Sequence, residues 1–336
     1  MTQSKKPEAL WITWEDHRRS RELSDAFEAE YCPVLIHGHR WYRYPLQIVK
    51  TLRLLASRRP GRVFCQNPSL ILTTLLCSLK SSLGYRLIVD RHSNFKLDTY
   101  MSYNPKWRLF HLLSRWTTRK ADLTIVTNPR LAELVAQWKG QPQVLQDPLP
   151  PLESSGETPD MMADKPRPWI LCVTSYGDDE PIEALLESLA NLGGGHSFLT
   201  GKYEKSRWAR QRESLAHQGI TLTGFVTDSE YVDLMASCDV VVVLTLYDDL
   251  LTCGAYEAIS LGKPLVLSDT QALRNYFRDA PHYVLPDARS VNQGIRKALD
   301  THSESKARVD ELRQFLAKEW AERFNLCRDR IEARNN

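Results

Sequence analysis

Residues 239–269 read DVVVVLTLYDDLLTCGAYEAISLGKPLVLSD, and this stretch decides the fold. A wholly apolar strand ends near Leu244, and a short loop over 246–251 follows it. A helix begins near Thr252, a residue type that caps helix N-termini, and stops at Gly262. Lys263 and Pro264 then lead into a second apolar strand. Strand, loop, helix and strand make one βαβ unit, the building block of parallel sheets.

The same rhythm runs outward in both directions. Strand candidates before this unit are 10–14, 33–36, 62–66, 86–90, 123–127 and 143–146. A second set comprises 169–173, 196–200, 220–223, 239–244, 264–267 and 282–285. Helical patterns such as 181–192, 228–236 and 252–261 fill the gaps. Between the sets lies PLPPLESSGETPDMMADKPRP, residues 148–168, rich in Pro, Ser and acids. It reads as a linker. The expected organisation is an α/β chain with two Rossmann-like, doubly wound domains facing a cleft. They occupy 1–150 and 168–302, with a linker over 151–167. An amphipathic helix over 303–336 crosses back to the first domain. Ligands of such sheets bind beyond the carboxyl ends of the strands.

Composition limits the alternatives. The chain has 336 residues, 42% hydrophobic and 25% charged, which excludes a disordered or collagen-like polypeptide. The net charge of +3 hides an asymmetry. Residues 1–150 hold 23 Lys and Arg against 12 Asp and Glu; the remainder is acidic overall. The basic half suits an anionic partner. Seven scattered cysteines with no C-x-x-C pair point to a reducing compartment. The start lacks an apolar signal core, and the longest apolar stretch, 70–79, is too short to span a bilayer. The expectation is a soluble cytoplasmic protein that rests on the inner face of the cell membrane.

In the deciding stretch Thr252 is the N-cap, the first helical amides belong to Cys253, Gly254 and Ala255, and the amides at Thr252, Cys253 and Gly254 are the expected anion seat. Small residues there let an anion approach the positive helix end. Asp249 precedes that end and Glu257 follows one turn in; two carboxylates so placed can accept hydrogen bonds from sugar hydroxyls. This stretch resembles the donor-binding motif of GT-B glycosyltransferases of family 4. There, two acids with seven residues between them precede a small-Gly-x-Pro strand, although the first acid is usually Glu rather than Asp. The block 219–245 is similar to the preceding part of that family, in which backbone near Phe225 and Val226 meets the nucleotide base. Residues 173–189 and LTGK at 199–202 also resemble chitobiosyl-diphosphodolichol β-mannosyltransferases. The resemblance implies that Glu257 binds the donor ribose and Asp249 the transferred sugar. Lys202 and Arg207 would meet the diphosphate beside Ser175, whose loop lacks the family's usual cations.

In the basic half, His92 follows a strand end. The resemblance places such a residue beside the reacting sugar, as a catalytic partner of Asp249. The loop after the first strand brings His17, Arg18 and Arg19, suited to an anionic acceptor. Residues 104–120 carry Trp107, Phe110, Arg115 and Trp116 at helical spacing, the pattern of a helix lying on anionic lipid. No nucleic-acid motif accompanies the charge. No metal-ligand spacing appears, and no cofactor is expected beyond the nucleotide-sugar substrate. The reading is a metal-independent GT-B hexosyltransferase. It moves sugar from a nucleoside diphosphate to a polyprenyl-diphosphate-linked saccharide in surface polysaccharide or exopolysaccharide synthesis. The alternatives are a sugar-nucleotide epimerase of related fold and a non-catalytic partner of the same fold. Family 4 implies retention and the mannosyltransferases inversion, so the stereochemistry stays open.

Overall fold

The computed structural model describes residues 8–67, 69–92, 96–248 and 250–333. It contains two six-stranded, wholly parallel sheets. The first is built from β1 (Ala9–Thr13), β2 (Glu30–Pro33), β3 (Arg62–Asn67), β4 (Arg86–Arg91), β5 (Leu123–Val126) and β6 (Pro142–Val144). Its order is β2-β1-β3-β4-β5-β6. The second uses β7 (Trp169–Cys172), β8 (His196–Thr200), β9 (Ile220–Gly224), β10 (Val240–Val243), β11 (Leu265–Ser268) and β12 (His282–Val284). Its order is β12-β11-β10-β7-β8-β9.

Helices of the first half are α1 (Arg18–Ala26), α2 (Arg40–Arg58), α3 (Leu70–Leu83), α4 (Pro105–Lys120) and α5 (Pro129–Gln137). Those of the second are α6 (Asp160–Ala163), α7 (Ile182–Ala190), α8 (Arg212–His217), α9 (Asp228–Ser237), α10 (Cys253–Ser260), α11 (Gln271–Phe277) and α12 (Ala288–Asp300). The 31-residue α13 (His302–Glu332) closes the chain.

Why the β10 strand is all valine follows from its place in the middle of a sheet covered on both faces. Val241 and Val243 enter one core with Leu171 and Phe198; Val240 and Val242 enter the other with Ile170 and Leu199. Each fully buried side chain of this kind contributes about 1.5–3 kcal/mol. The edge strand β2 behaves differently. Its expected position was the apolar run 33–36, but the pairing uses Glu30–Pro33, with Pro33 opposite Thr13 at the strand end. The Val34 N–H still reaches the Thr13 carbonyl at 2.8 Å, so Pro33, whose nitrogen the ladder does not use, is tolerated at the strand end.

The chain divides into two compact units, Met1–Asp147 with Trp320–Asn336, and Pro148–Glu319. Helix α13 serves both cores: Val309, Leu312 and Leu316 the second, Phe324, Cys327 and Ile331 the first. The expected linker is more than a tether. Ser154 and Ser155 hydrogen-bond the Asp233 carboxylate, and Met162 of α6 is fully buried in the second core. The Pro- and Ser-rich composition concealed one apolar anchor.

Candidate functional site

In the second sheet the strand order reverses between β7 and β10. In doubly wound sheets this point opens a crevice at the carboxyl ends of the strands. Two loops meet here. Leu246 donates its N–H to the Asp179 carbonyl at 2.6 Å, and Thr245 donates to Ser268 Oγ at 2.8 Å. Helix α10 starts against the end of β7. A Cβ on Gly254 would lie 2.8 Å from Val173 Cγ1, so a glycine is what permits this approach. Thr252 holds the N-cap position with extended backbone, and its Oγ1 is buried with no hydrogen-bond partner among the described residues. Cys253 beside it is exposed.

Glu257 sits in the second turn of α10, half-buried. The Tyr231 hydroxyl of α9 donates to its Oε2 at 2.6 Å. Burial, reinforced by the neighbouring carboxylate, raises the Tyr231 phenol well above its usual range. The phenol therefore stays a donor. Asp249 lies outside the described residues.

The remaining donor-side candidates are placed as follows. Phe225 is 73% exposed, with the Lys202 ammonium 4.8 Å from its ring centroid. Val226 packs against the core. Lys202 follows Gly201, whose φ of +103° and 2.2 Å approach to the Thr174 carbonyl by a notional Cβ both demand glycine. Arg207 pairs with Glu183 at 3.0 Å, both side chains exposed. Such a pair is worth at most about 1 kcal/mol and yields easily to a ligand.

Ser175 does not fit its expected role. Its N–H and hydroxyl both donate to Glu180, at 2.9 and 3.0 Å, and the Gly177 N–H reaches the same carboxylate at 3.3 Å. A loop without cations has satisfied its amides with an internal anion. The sequence signal for this was present: an acid five residues after the strand loop begins, just ahead of a helix. Tyr231 was also missed; the capping box at Thr227 and Glu230, which fixes the start of α9 and thereby the position of Tyr231, is a readable pattern.

The first unit holds the second group of candidates. His92, just past β4, directs Nδ1 toward Asp90 Oδ2 at 3.4 Å, and its ring centroid lies 4.9 Å from that of His17. Loss of solvent and the His92 ring lower the His17 pKa below the ordinary histidine value. An acid behind an imidazole fixes its tautomer and orientation, the arrangement of a positioned base. Arg18 is exposed and paired with Glu22 at 2.7 Å.

Arg19 is a correction. It is 3% exposed, and its guanidinium is committed to Asp90 at 2.9 Å, Asp147 at 2.6 Å and the Leu145 carbonyl at 2.9 Å. It ties α1 to the ends of β4 and β6 and is a strut rather than an acceptor ligand. Burial opposes ionisation of Asp90, yet Arg19 and the His92 hydrogen bond prevail and hold its carboxyl down at about 2.

The aromatic face of α4 is also corrected. Trp107, Phe110, Arg115 and Trp116 are half-buried. Trp116 packs on the core, and Arg115 lies 5.2 Å from the Tyr100 ring centroid. The outward apolar residues of α4 are Leu109, 56% exposed, and Leu112, 65% exposed. Among the described residues no helix is long and apolar enough to cross a membrane, and no cluster of three or more His, Cys, Asp or Glu could hold a metal ion.

Residues 167–301 match the family model described as glycosyl transferases group 1. The second unit carries the group 1 glycosyltransferase pattern. No curated protein matches the sequence. Among solved structures, sucrose-phosphate synthase from Thermosynechococcus elongatus superposes with a TM-score of 0.64 at 16% identity, over 97% of this chain and 98% of that one. Anabaena HepE, solved with UDP, gives 0.68 at 11% identity, over 97% and 100%. The lipopolysaccharide outer core galactosyltransferase WaaB gives 0.60 at 13% identity, over 97% and 99%. These likenesses establish the GT-B fold. The group 1 pattern in the second unit coincides with the crevice at β7 and β10 and with the helix bearing Glu257.

Proposed function

We propose that the protein is a glycosyltransferase that moves a hexosyl unit from a nucleoside-diphosphate sugar to a lipid-linked saccharide in surface polysaccharide assembly. The observation that carries this reading is Glu257, held by Tyr231 at 2.6 Å, one turn into the helix that opens the crevice of the group 1 unit. A carboxylate accepts from the donor's hydroxyls, while the N-terminus of α10 receives the departing diphosphate. UDP in the HepE structure supports a nucleotide ligand for this fold.

In this reading Thr252, Cys253 and Gly254 line the diphosphate seat, Lys202 and Arg207 add positive charge in place of a metal, and Phe225 and Val226 border the base. Asp249 and His92 are the proposed catalytic residues, His92 oriented by Asp90. Arg18 and His17 serve the acceptor side. The resemblance of 173–189 and 199–202 to chitobiosyl-diphosphodolichol mannosyltransferases, read from the sequence alone, favours an acceptor carried on a lipid. The basic first half, with Leu109 and Leu112 outward, supports peripheral association with the inner face of the cell membrane.

A panel of nucleoside diphosphates screened by thermal shift tests the reading. One nucleotide should raise the melting temperature of the wild type and, at the same concentration, raise that of Glu257→Ala clearly less. No stabilisation by any of them rejects it.

A further inference from the structure

The first sheet also reverses its strand order, between β1 and β3. Beyond the carboxyl ends of these two strands lies a cavity of about 410 Å³, bounded by α2, the start of α3, and α4. Its wall is largely apolar: Trp14, Tyr44, Ile71, Leu109, Phe110 and Leu113. A volume of this order suits a small organic ligand.

Two polar atoms at the cavity are unexplained by the fold. Gln47 is 1% exposed, and its Nε2 donates to the carbonyls of Val34 at 3.0 Å and Trp14 at 3.5 Å. Those bonds fix the amide and leave Oε1, a buried acceptor, without a hydrogen-bond partner among the described residues. Arg43 Nε is a buried donor in the same state, although its Nη2 reaches the Tyr44 hydroxyl at 3.2 Å. Buried polar groups are almost always hydrogen-bonded, so unmet ones of this kind signal a missing partner. Lys106 adds a second cation to the lining; Glu15 is its one acid.

We propose that this cavity seats a lipid phosphate. Phosphate oxygens accept from the Arg43 Nε–H and from Lys106. The protonated oxygen of a phosphate monoester donates to Gln47 Oε1. The first part of the hydrocarbon chain lies against Trp14, Tyr44, Leu109 and Phe110. The combination selects the ligand class: an apolar wall alone would take any hydrocarbon, and two cations alone any anion. The inference rests on the transfer reading only in making this lipid the carrier of the acceptor; the seat itself is built wholly within the first unit.

The test is titration of the full-length protein with farnesyl phosphate below its micelle concentration, followed by calorimetry with no sugar nucleotide present. Farnesol and inorganic phosphate are the comparison ligands. Farnesyl phosphate should bind at least about tenfold tighter than either, the usual scale of one charge-assisted bond. Arg43→Gln and Leu109→Glu, at half-buried and exposed positions, should each weaken it by about tenfold without changing the melting curve. Equal binding of farnesol and its phosphate, wild-type affinity in both variants, or binding only to anionic vesicles would overturn the proposal. Nucleoside diphosphates are titrated in parallel. Nucleotide binding without lipid binding sinks this inference alone; lipid binding without nucleotide binding sinks the transfer reading and leaves the seat standing.

Discussion

The hydroxyl of Tyr231 and the carboxylate of Glu257 are joined at 2.6 Å across 26 positions of sequence, from the adjacent helices α9 and α10. The bond fixes one carboxylate oxygen and so sets the plane in which the acid meets a ligand. Removing the acid and removing its orientation should differ in degree. Glu257→Ala should weaken nucleotide-sugar binding by about ten- to a hundredfold, the loss of one or two bonds to a charged acceptor. Tyr231→Phe should weaken it by about three- to tenfold. Titration calorimetry on the two variants checks this; equal losses would make Tyr231 more than a positioning residue, and no loss in either would remove Glu257 from the site.

Arg19 gives a stability prediction. Its replacement by Met would strand Asp90, 1% exposed, without its main counter-charge. Breaking a buried pair from one side costs about 3–5 kcal/mol, and urea unfolding should show a loss of that size. The pH dependence has a definite sign. The folded Asp90 carboxyl, at about 2, lies below the ordinary value of 3.8. Its contribution is therefore complete above the ordinary value and is lost as pH falls through about 2. An unchanged unfolding midpoint in Arg19→Met would contradict the strut.

Particular residues show what could be read in advance. The valines of β10 were legible because a strand buried on both faces leaves no polar positions. Strand β2 was misplaced because Glu30 and Tyr31 carry no apolar pattern on an edge, while the apolar run 34–36 lies just beyond the pairing. Helix α4 was legible as a helix, but its inward face was not. Its buried residues are His111, Ser114, Thr117 and Thr118, with Trp116 packed beside them; a polar inward face carries no apolar periodicity, so the half-buried Trp107 and Phe110 and the exposed Leu109 and Leu112 gave the stronger pattern. At the proposed site, the place of Glu257 on α10 was legible from local spacing. Its tie to Tyr231 was not, because such a long-range pair leaves no local periodicity. Arg18 and Arg19 look alike in sequence, yet one is exposed and the other 3% exposed, because successive helical positions point about 100° apart.

His282 predicts a pH effect on the second unit. Its ring is 8% exposed and lies within 2.8 Å of Ser305 Oγ and 3.1 Å of the Arg308 guanidinium. Burial, reinforced by the Arg308 charge, lowers its pKa to about 4 from the ordinary 6.5. The unfolded chain therefore takes up a proton first. Stability is complete above the ordinary value and falls as pH drops from there toward about 4, by about 2–3 kcal/mol in all. Denaturant unfolding across that interval should show the slope, and His282→Gln should flatten it. A slope unchanged in the variant would assign it to another group.

Gly254 supplies a prediction with its own rescue. A methyl group there would come within 2.8 Å of Val173 Cγ1, closer than carbon atoms pack. Helix α10 must then lift away from the end of β7, carrying the Thr252 cap and Glu257 with it. Overpacking of this kind costs about 1–3 kcal/mol, so Gly254→Ala should melt earlier and bind nucleotide sugar more weakly. Val173→Ala removes the two methyl groups it strikes, at 2.8 and 3.2 Å, and leaves only the tight 3.0 Å approach to Cβ. In the double variant the helix can return, and both stability and nucleotide affinity should recover beyond the sum of the single effects, a coupling that a thermodynamic cycle measures directly. Simple additivity would mean that the two residues do not set the approach of helix to strand, and that the crevice is shaped by something other than this contact.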